Sequence, residues 1–238
     1  PFLNKDIYDI LSYTSRNNMG TVISSNLNLP IDAPRLVDSG LEYLIVSGDG
    51  VTQEVYGAYR IGGDIDTVRR NLGAIAEAKR RAGSPYPFIE WQCLVTRHNE
   101  SHLEEIRSEA RRMGADTVRF ANVNFFSAEN APAAEKEWLP HNPAYRSFVG
   151  EKTRAGIERG IRKPCFWLWR TAIVAPDGEV LPCCLYDIKG WGNAFEEGLL
   201  EVWNNATYRE ARQRSLNDPG LRTVDLVCDG CTAPFIYR

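Results

Sequence analysis

No apolar run in the 238-residue chain approaches the ~18 residues a membrane-spanning helix needs, so no membrane partner is expected. Nor is there an excess of one charge sign. Lys and Arg number 28 against 31 Asp and Glu, a formal net charge of −3, which gives no electrostatic case for nucleic acid or an anionic surface. Histidine is scarce: the three residues, His98, His102 and His141, are not grouped with other metal-ligating side chains. Six cysteines in a chain of this length are too few for a disulfide scaffold. Internal repeats and low-complexity tracts are also lacking. What remains is the composition of a soluble globular protein, 43% hydrophobic and 25% charged, long enough for one large domain or two smaller ones.

Helix and strand signals alternate through the first half. Asn4 is placed to cap a helix with Ile7, Ile10, Leu11 and Thr14 on one side, ending near Gly20. A β-rich run covers Thr21–Asn26. Asp32 opens a short helix closed by Gly40, and Leu41–Ser47 reads as a second strand. After the loop Gly48-Asp49-Gly50, helices are expected from about Thr52 to Tyr59 and from Asp64, the second with Ile65, Val68, Leu72 and Ile75 on one face. Phe88–Val95 is a third strand, followed by a helix capped by Asn99 and stopped by Gly114, then a fourth strand over Asp116–Ala121. Short connections and near-continuous apolar strands argue for βαβ units and a parallel sheet. The alternation stops near Asn124. Residues 127–164, rich in Ala, Pro, Asn and charge, read as a linker with one or two helical turns.

Five of the six cysteines lie in the last third: Cys165, Cys183, Cys184, Cys228 and Cys231. Around them, Arg170–Val174 and Glu179–Leu181 form a predicted hairpin turned by Pro176-Asp177-Gly178. Helices follow at Leu199–Trp203 and about Thr207–Ser215, and Trp167, Trp169, Trp191 and Trp203 are expected to cover the module's core. A Cys-x-x-Cys turn with two cysteines flanking a hairpin supplies the corners of a tetrahedral sulfur site, suited to Zn²⁺ or an iron–sulfur cluster. The sulfur set alone does not choose between them. Such grouping points to metal in a reducing compartment, and a cytoplasmic location is expected. Cys183 and Cys184 are adjacent and project to opposite sides, so only one can be a ligand. Cys93, amid Leu94 and Val95, reads as a small core residue.

These segments together resemble a radical SAM enzyme with a C-terminal SPASM or twitch domain. The resemblance rests on Cys165, the hairpin with Asp177-Gly178, Leu181-Pro182-Cys183-Cys184, Asp187, Gly192-Asn193, Leu200–Asn204, Arg209 and Cys228-x-x-Cys231. In the first half it rests on Ser25–Asn28, Gly40-Leu41, Val46–Gly50, Tyr56, Tyr59-Arg60 and Gly62-Gly63. It implies an α/β fold in which a partial (β/α)6 TIM-type barrel lacking its first strands (1–126) and a linker (127–164) precede a small α+β cysteine-rich domain with a hairpin (165–238). The family's Cys-x3-Cys-x2-Cys loop does not occur here. The expectation is that Pro1 ends a Gly-Glu-Pro-like turn and that two strands, a helix and that loop precede it, so that the chain as given is an inactive fragment.

The resemblance further implies residue roles and a reaction. Cys165, Cys183, Cys228 and Cys231 would hold an auxiliary [4Fe–4S] cluster, with Cys184 in reserve. A second [4Fe–4S] cluster would lie in the missing part. Around S-adenosylmethionine, Ser47 and Asp49 would meet the ribose and Arg60 the methionyl carboxylate. Asn26 and Gln92 are further candidates, each with a plain reading as a turn residue and a strand amide. Asp187 is a candidate proton acceptor or a loop hydrogen-bonding residue. The implied function is a radical SAM/SPASM oxidoreductase whose 5′-deoxyadenosyl radical abstracts hydrogen from a peptide or a sugar-like small molecule, with the auxiliary cluster accepting an electron and flavodoxin or ferredoxin as electron donor. The other reading is a non-catalytic zinc- or cluster-binding interaction module on a degenerate barrel.

Overall fold

Strands form where β-branched and apolar residues alternate, and each is set between helices whose caps are written in the sequence. The computed structural model describes residues 1–123, 131–146, 165–183 and 189–215. The chain divides into two compact units, Pro1–Arg146 and Ser147–Arg238.

In the first unit, strands β1 (Val22–Ser25), β2 (Tyr43–Ser47), β3 (Phe88–Val95) and β4 (Thr117–Asn122) form a parallel sheet in sequence order. Parallel neighbours require crossovers. Helix α2 (Ala33–Asp38) joins β1 to β2, α3 (Gln53–Tyr59) and α4 (Ile65–Ala82) join β2 to β3, and α5 (Leu103–Met113) joins β3 to β4. Helix α1 (Ile7–Arg16) precedes the sheet. The caps at Asp32, Thr52 and Asp64 each accept a backbone N–H from the first turn, satisfying donors the helix leaves open. Gly83 and Gly114 end α4 and α5 in the left-handed conformation.

Side chains alternate across the sheet. Leu44 and Val46 of β2 and Ile89, Trp91 and Cys93 of β3 join one core with Leu72 and Ile75 of α4 and Ile106 and Ala110 of α5. A fully buried Ile or Leu of this kind stabilises by about 1.5–3 kcal/mol. The intervening residues, Tyr43, Ile45 and Ser47 of β2 and Glu90, Gln92 and Leu94 of β3, stand outside that core and face the other side.

Two sequence expectations change at helix starts. Asn4 does not cap α1; the cap is Asp6, whose own N–H donates to Asn4 Oδ1 at 2.8 Å. Asn99 does not cap a helix with its side chain; a 3-10 turn at Glu100–His102 precedes α5, and the Asn99 amide turns inward instead. The first unit also extends past the expected end of the barrel. Helix α6 (Ala131–Trp138) belongs to it. Trp138 lies against Tyr59 and His98, at centroid distances of 5.5 and 4.8 Å.

In the second unit, α7 (Phe166–Arg170) follows Cys165 and claims Arg170, which the sequence pattern put in a strand. Strands β5 (Ile173–Val174) and β6 (Val180–Leu181) pair antiparallel. Gly178 turns the hairpin at φ +89°, where a Cβ would also meet Asn193 Oδ1 at 2.4 Å. Helices α8 (Leu199–Trp203) and α9 (Ala206–Ser215) complete the described part. Its buried core is Leu168, Val180, Val202, Tyr208 and Ala211, with Cys165, Trp191 and Trp203 packed against it. Trp169 is at the surface rather than in the core, 44% exposed, with its indole N–H on Ser215.

Candidate functional site

The strand ends of the first unit converge on Asp49. Val46-Ser47 finishes β2, and the chain then turns tightly through Gly48-Asp49-Gly50. The turn is held from both sides. A Cβ on Gly48 would lie 2.0 Å from the Trp91 ring, and one on Gly50 would lie 2.5 Å from the Tyr56 nitrogen in α3. Only glycine allows so close an approach.

Asp49 is 1% exposed. Its Oδ2 accepts Arg60 Nε at 2.6 Å and its Oδ1 accepts the Leu94 N–H at 2.7 Å. Burial raises the Asp49 carboxyl above its ordinary pKa, while the Arg60 charge and the two hydrogen bonds pull it back. Asn99 braces the same turn. Its Nδ2 donates to the carbonyls of Asp49 at 2.9 Å and Leu94 at 2.8 Å, and its Oδ1 accepts the Thr96 N–H at 2.8 Å. The end of β2 is thereby tied to the end of β3 by one carboxylate and one amide.

Asp49, expected at the ribose, is turned into the fold in this structure, each of its oxygens accepting a hydrogen bond from within the first unit. Arg60, at the C-terminal end of α3, is 26% exposed in its side chain. Its Nε is taken by Asp49, and its terminal nitrogens make no hydrogen bond among the described residues. Ser47 is half-buried at the last position of β2, its hydroxyl 3.4 Å from that of Ser24. Gln92 is beside Ser47 in register and makes no side-chain hydrogen bond among the described residues.

Asn26 follows β1 and forms a local turn, accepting the Asn28 N–H at 3.3 Å. Asn28 reaches further: its Nδ2 donates to Tyr56 Oη at 2.6 Å and its Oδ1 accepts the Asp64 N–H at 2.7 Å. Asn71 of α4 donates to the carbonyls of Leu27 and Leu29. Sequence reading missed Asn28, Asn71 and Asn99. For Asn28 and Asn99 the signal was an amide next to a turn, which capping and turn chemistry explain equally well; Asn71 lies inside α4, where a polar helix position gives no sign of a long-range tie. Cys93 is fully buried, and burial drives its thiol far above the ordinary range, leaving it no role as a thiolate.

The second unit presents Cys165 at the start of α7 and Cys183 two residues after β6, each half-buried. The hairpin between them is anchored at Leu181, whose carbonyl accepts Tyr208 Oη at 3.1 Å. Arg212, 9% exposed, donates to the Leu168 carbonyl at 2.7 Å and lies over the Trp203 ring at 4.2 Å. Two of the four expected sulfur ligands thus lie on the two arms flanking one hairpin, Cys165 packed on the same core as Trp191 and Trp203. Cys184, Asp187, Cys228 and Cys231 lie outside the described residues. Cys165 packs on the core as a thiol, and four such donors fit a tetrahedral metal or cluster site.

A family model described as an iron–sulfur cluster-binding domain, SPASM, matches residues 165–232. Over 224 residues the chain is 28% identical to the PqqA peptide cyclase of Gluconobacter oxydans, covering 86% of this chain and 60% of that protein. It is 25% identical over 237 residues to the mycofactocin maturase MftC of Mycobacterium tuberculosis, covering 90% and 58%. The chain therefore spans about 60% of the length of these curated relatives. Among solved structures, Streptococcus suis SuiB bound to the precursor peptide SuiA superimposes with a TM-score of 0.62 at 16% identity, over 98% of this chain and 57% of that one. The protein anSMEcpe with bound AdoMet and Cp18Cys peptide gives 0.55 at 14% identity, over 90% and 67%. The α/β fold with its parallel sheet is shared with these structures. No described helix is long and apolar enough to cross a membrane.

Proposed function

We propose that this chain is part of a radical SAM enzyme carrying a SPASM domain, an iron–sulfur oxidoreductase that acts on a peptide; the SPASM match and the two curated relatives support that reading. The observation that carries the proposal is the span of the SPASM match, 165–232, which takes in Cys165, Cys183, Cys228 and Cys231 together with the hairpin. The peptide substrate follows from the relatives: a peptide cyclase, and a structure seated on a precursor peptide.

In this reading the parallel sheet is part of a (β/α) barrel, and residues 165–238 form the cysteine-rich domain. When bound, S-adenosylmethionine supplies a hydrogen-abstracting 5′-deoxyadenosyl radical and the auxiliary [4Fe–4S] cluster an electron sink. The chain's own residues bind and orient. Ser47 offers its hydroxyl to the ribose at the end of β2. Arg60 offers two terminal nitrogens, a fork that matches the methionyl carboxylate. Asp49 acts behind Arg60, fixing its direction rather than touching the ligand. Cys165, Cys183, Cys228 and Cys231 would hold the cluster as thiolates, and Trp191 and Trp203, packed on the hairpin core, would keep water from that side. With four protein ligands the cluster would supply electron transfer rather than a site for substrate. A flavodoxin or ferredoxin is the proposed donor, and a second cluster is expected in the part of the protein outside this chain.

Anaerobically purified full-length protein is expected to carry iron and sulfide with a broad absorbance near ~400 nm. A colourless protein with zinc would overturn the reading. Ser47→Ala in the same protein is expected to weaken S-adenosylmethionine binding about two- to tenfold, the loss of one hydrogen bond of about 0.5–1.5 kcal/mol. Equilibrium binding measures it, and unchanged affinity would remove Ser47 from the site.

A further inference from the structure

We propose that Arg119, held by Glu90 on the sheet face turned away from the helices, is a subsite for a carboxylate of the substrate; the proposal rests on the peptide reading above.

Position is the first argument. Phe120 belongs to the helix side, packed on the core with Arg107 at 4.9 Å from its ring. Its neighbour Arg119 projects to the opposite face. On that face the register sets Ser47, Gln92 and Arg119 side by side in one row across β2, β3 and β4. Adjacent strands are about 4.8 Å apart, so Arg119 is only about 10 Å from Ser47 across the sheet. A group bound at Arg119 would thus be within one residue's reach of the proposed cofactor.

The second argument is how the guanidinium is held. Its Nε donates to Glu90 Oε1 at 2.7 Å. Glu90 is 7% exposed, and its other oxygen accepts Tyr43 Oη at 2.9 Å. Both bonds run diagonally between neighbouring strands, so the pair is braced by the sheet itself. A carboxylate this buried, with a hydrogen bond on each oxygen, serves as an anchor for the guanidinium and is shielded from a free cation. The Arg119 side chain is 49% exposed, and its terminal nitrogens make no hydrogen bond among the described residues. Only N–H donors remain on it, so the ligand must be an acceptor. Two parallel donors on a rigid plane select a two-oxygen acceptor, and on a peptide that is a carboxylate. The Gln92 amide beside it can supply a further N–H. An acidic side chain and a chain terminus share this chemistry.

The test uses full-length protein labelled with ¹⁵N-arginine, the Nε–Hε resonance missing from Arg119→Lys identifying Arg119. Three probes are titrated: N-acetylglutamic acid α-amide, with only a side-chain carboxylate; N-acetylglycine, with only a terminal one; and N-acetylglutamine α-amide, with none. At least one carboxylate probe is expected to shift the Arg119 signal saturably, with the amide at least tenfold weaker. The tighter of the two carboxylates names the source. Because Arg119→Gln leaves Glu90 without its cation, Arg119→Lys serves as the second variant. It keeps the charge and loses the fork, and calorimetry is expected to find the better probe bound at least fivefold more weakly. Failure of both carboxylates to shift Arg119, or parental affinity in Arg119→Lys, overturns the subsite. S-adenosylmethionine binding by the parent protein reports separately on the function proposed above: cofactor bound without the probe refutes only the subsite, and probe bound without the cofactor refutes only that function.

Discussion

Replacing Asp49 with Ala is expected to be among the most damaging single changes in the first unit. The side chain is 1% exposed and both oxygens are in use, so its removal strands two donors at once, Arg60 Nε and the Leu94 N–H. Breaking a buried ion pair by deleting one partner costs about 3–5 kcal/mol, and the low end applies because Arg60 keeps some contact with water. Arg60→Ala leaves a buried carboxylate without its cation and is expected to cost a similar amount. The double variant is expected to be less destabilised than the sum of the two, with a coupling of about 1 kcal/mol or more, since the partners meet in one contact. Denaturant midpoints of the four proteins measure this. Additive losses would mean that the pair is incidental. Asp49→Asn separates fold from function. An Asn Oδ1 can still accept the Leu94 N–H, but its NH₂ then faces the Arg60 guanidinium donor to donor. That variant is expected to fold while binding S-adenosylmethionine more weakly, because Arg60 is no longer aimed.

The same region shows what the sequence makes legible. Alternating helices and strands with capped starts specified the parallel sheet, and β3 occupies the eight residues read as a strand, Phe88–Val95. Those signals are local: period, cap and glycine stop all act within a few residues. The long-range polar ties were not legible. Asp49 and Leu94 are 45 positions apart, and Asn99 and Asp49 50 apart, so no periodicity connects them. Asp49 after a strand looks like an exposed turn carboxylate until the fold buries it. Asn99 looks like a cap, and only the approach of the β2 turn shows where its amide goes. In the second unit, counting Trp residues missed that among the described residues Tyr208 is the fully buried aromatic, tied to Leu181, while Trp169 reaches the surface. The α9 sequence is polar on average, and its few apolar residues at helical spacing carry the packing: Tyr208 and Ala211. Arg119 was passed over because alternation with Val118 and Phe120 sets it opposite the core but does not show that Glu90, 29 positions away, holds it there.

The Cys228→Ala, Cys231→Ala double variant is expected to have the largest effect on turnover, and to divide the reaction in two. S-adenosylmethionine cleavage would draw on contacts at the sheet ends and on the cluster outside this chain, whereas substrate oxidation would draw on the four thiolates of residues 165–231. Full-length double variant is therefore expected to lose the auxiliary iron yet still release 5′-deoxyadenosine under strong reductant. Oxidised product is expected to fall below detection, with substrate hydrogen exchanged or returned. Metal binding in so small a module is also folding free energy, so collapse of the hairpin domain would mimic this result. Circular dichroism and retained S-adenosylmethionine affinity distinguish the two. Cys93→Ala is the internal control: its thiol is buried in the first unit's core, and the variant is expected to keep the full iron content. If the folded double variant formed oxidised product at the parental rate, the electron-sink role would fall. The thiolate set would then be a staple, holding Cys165 at the head of α7 to Cys183 beyond β6 so that Leu168 and Val180 share one core.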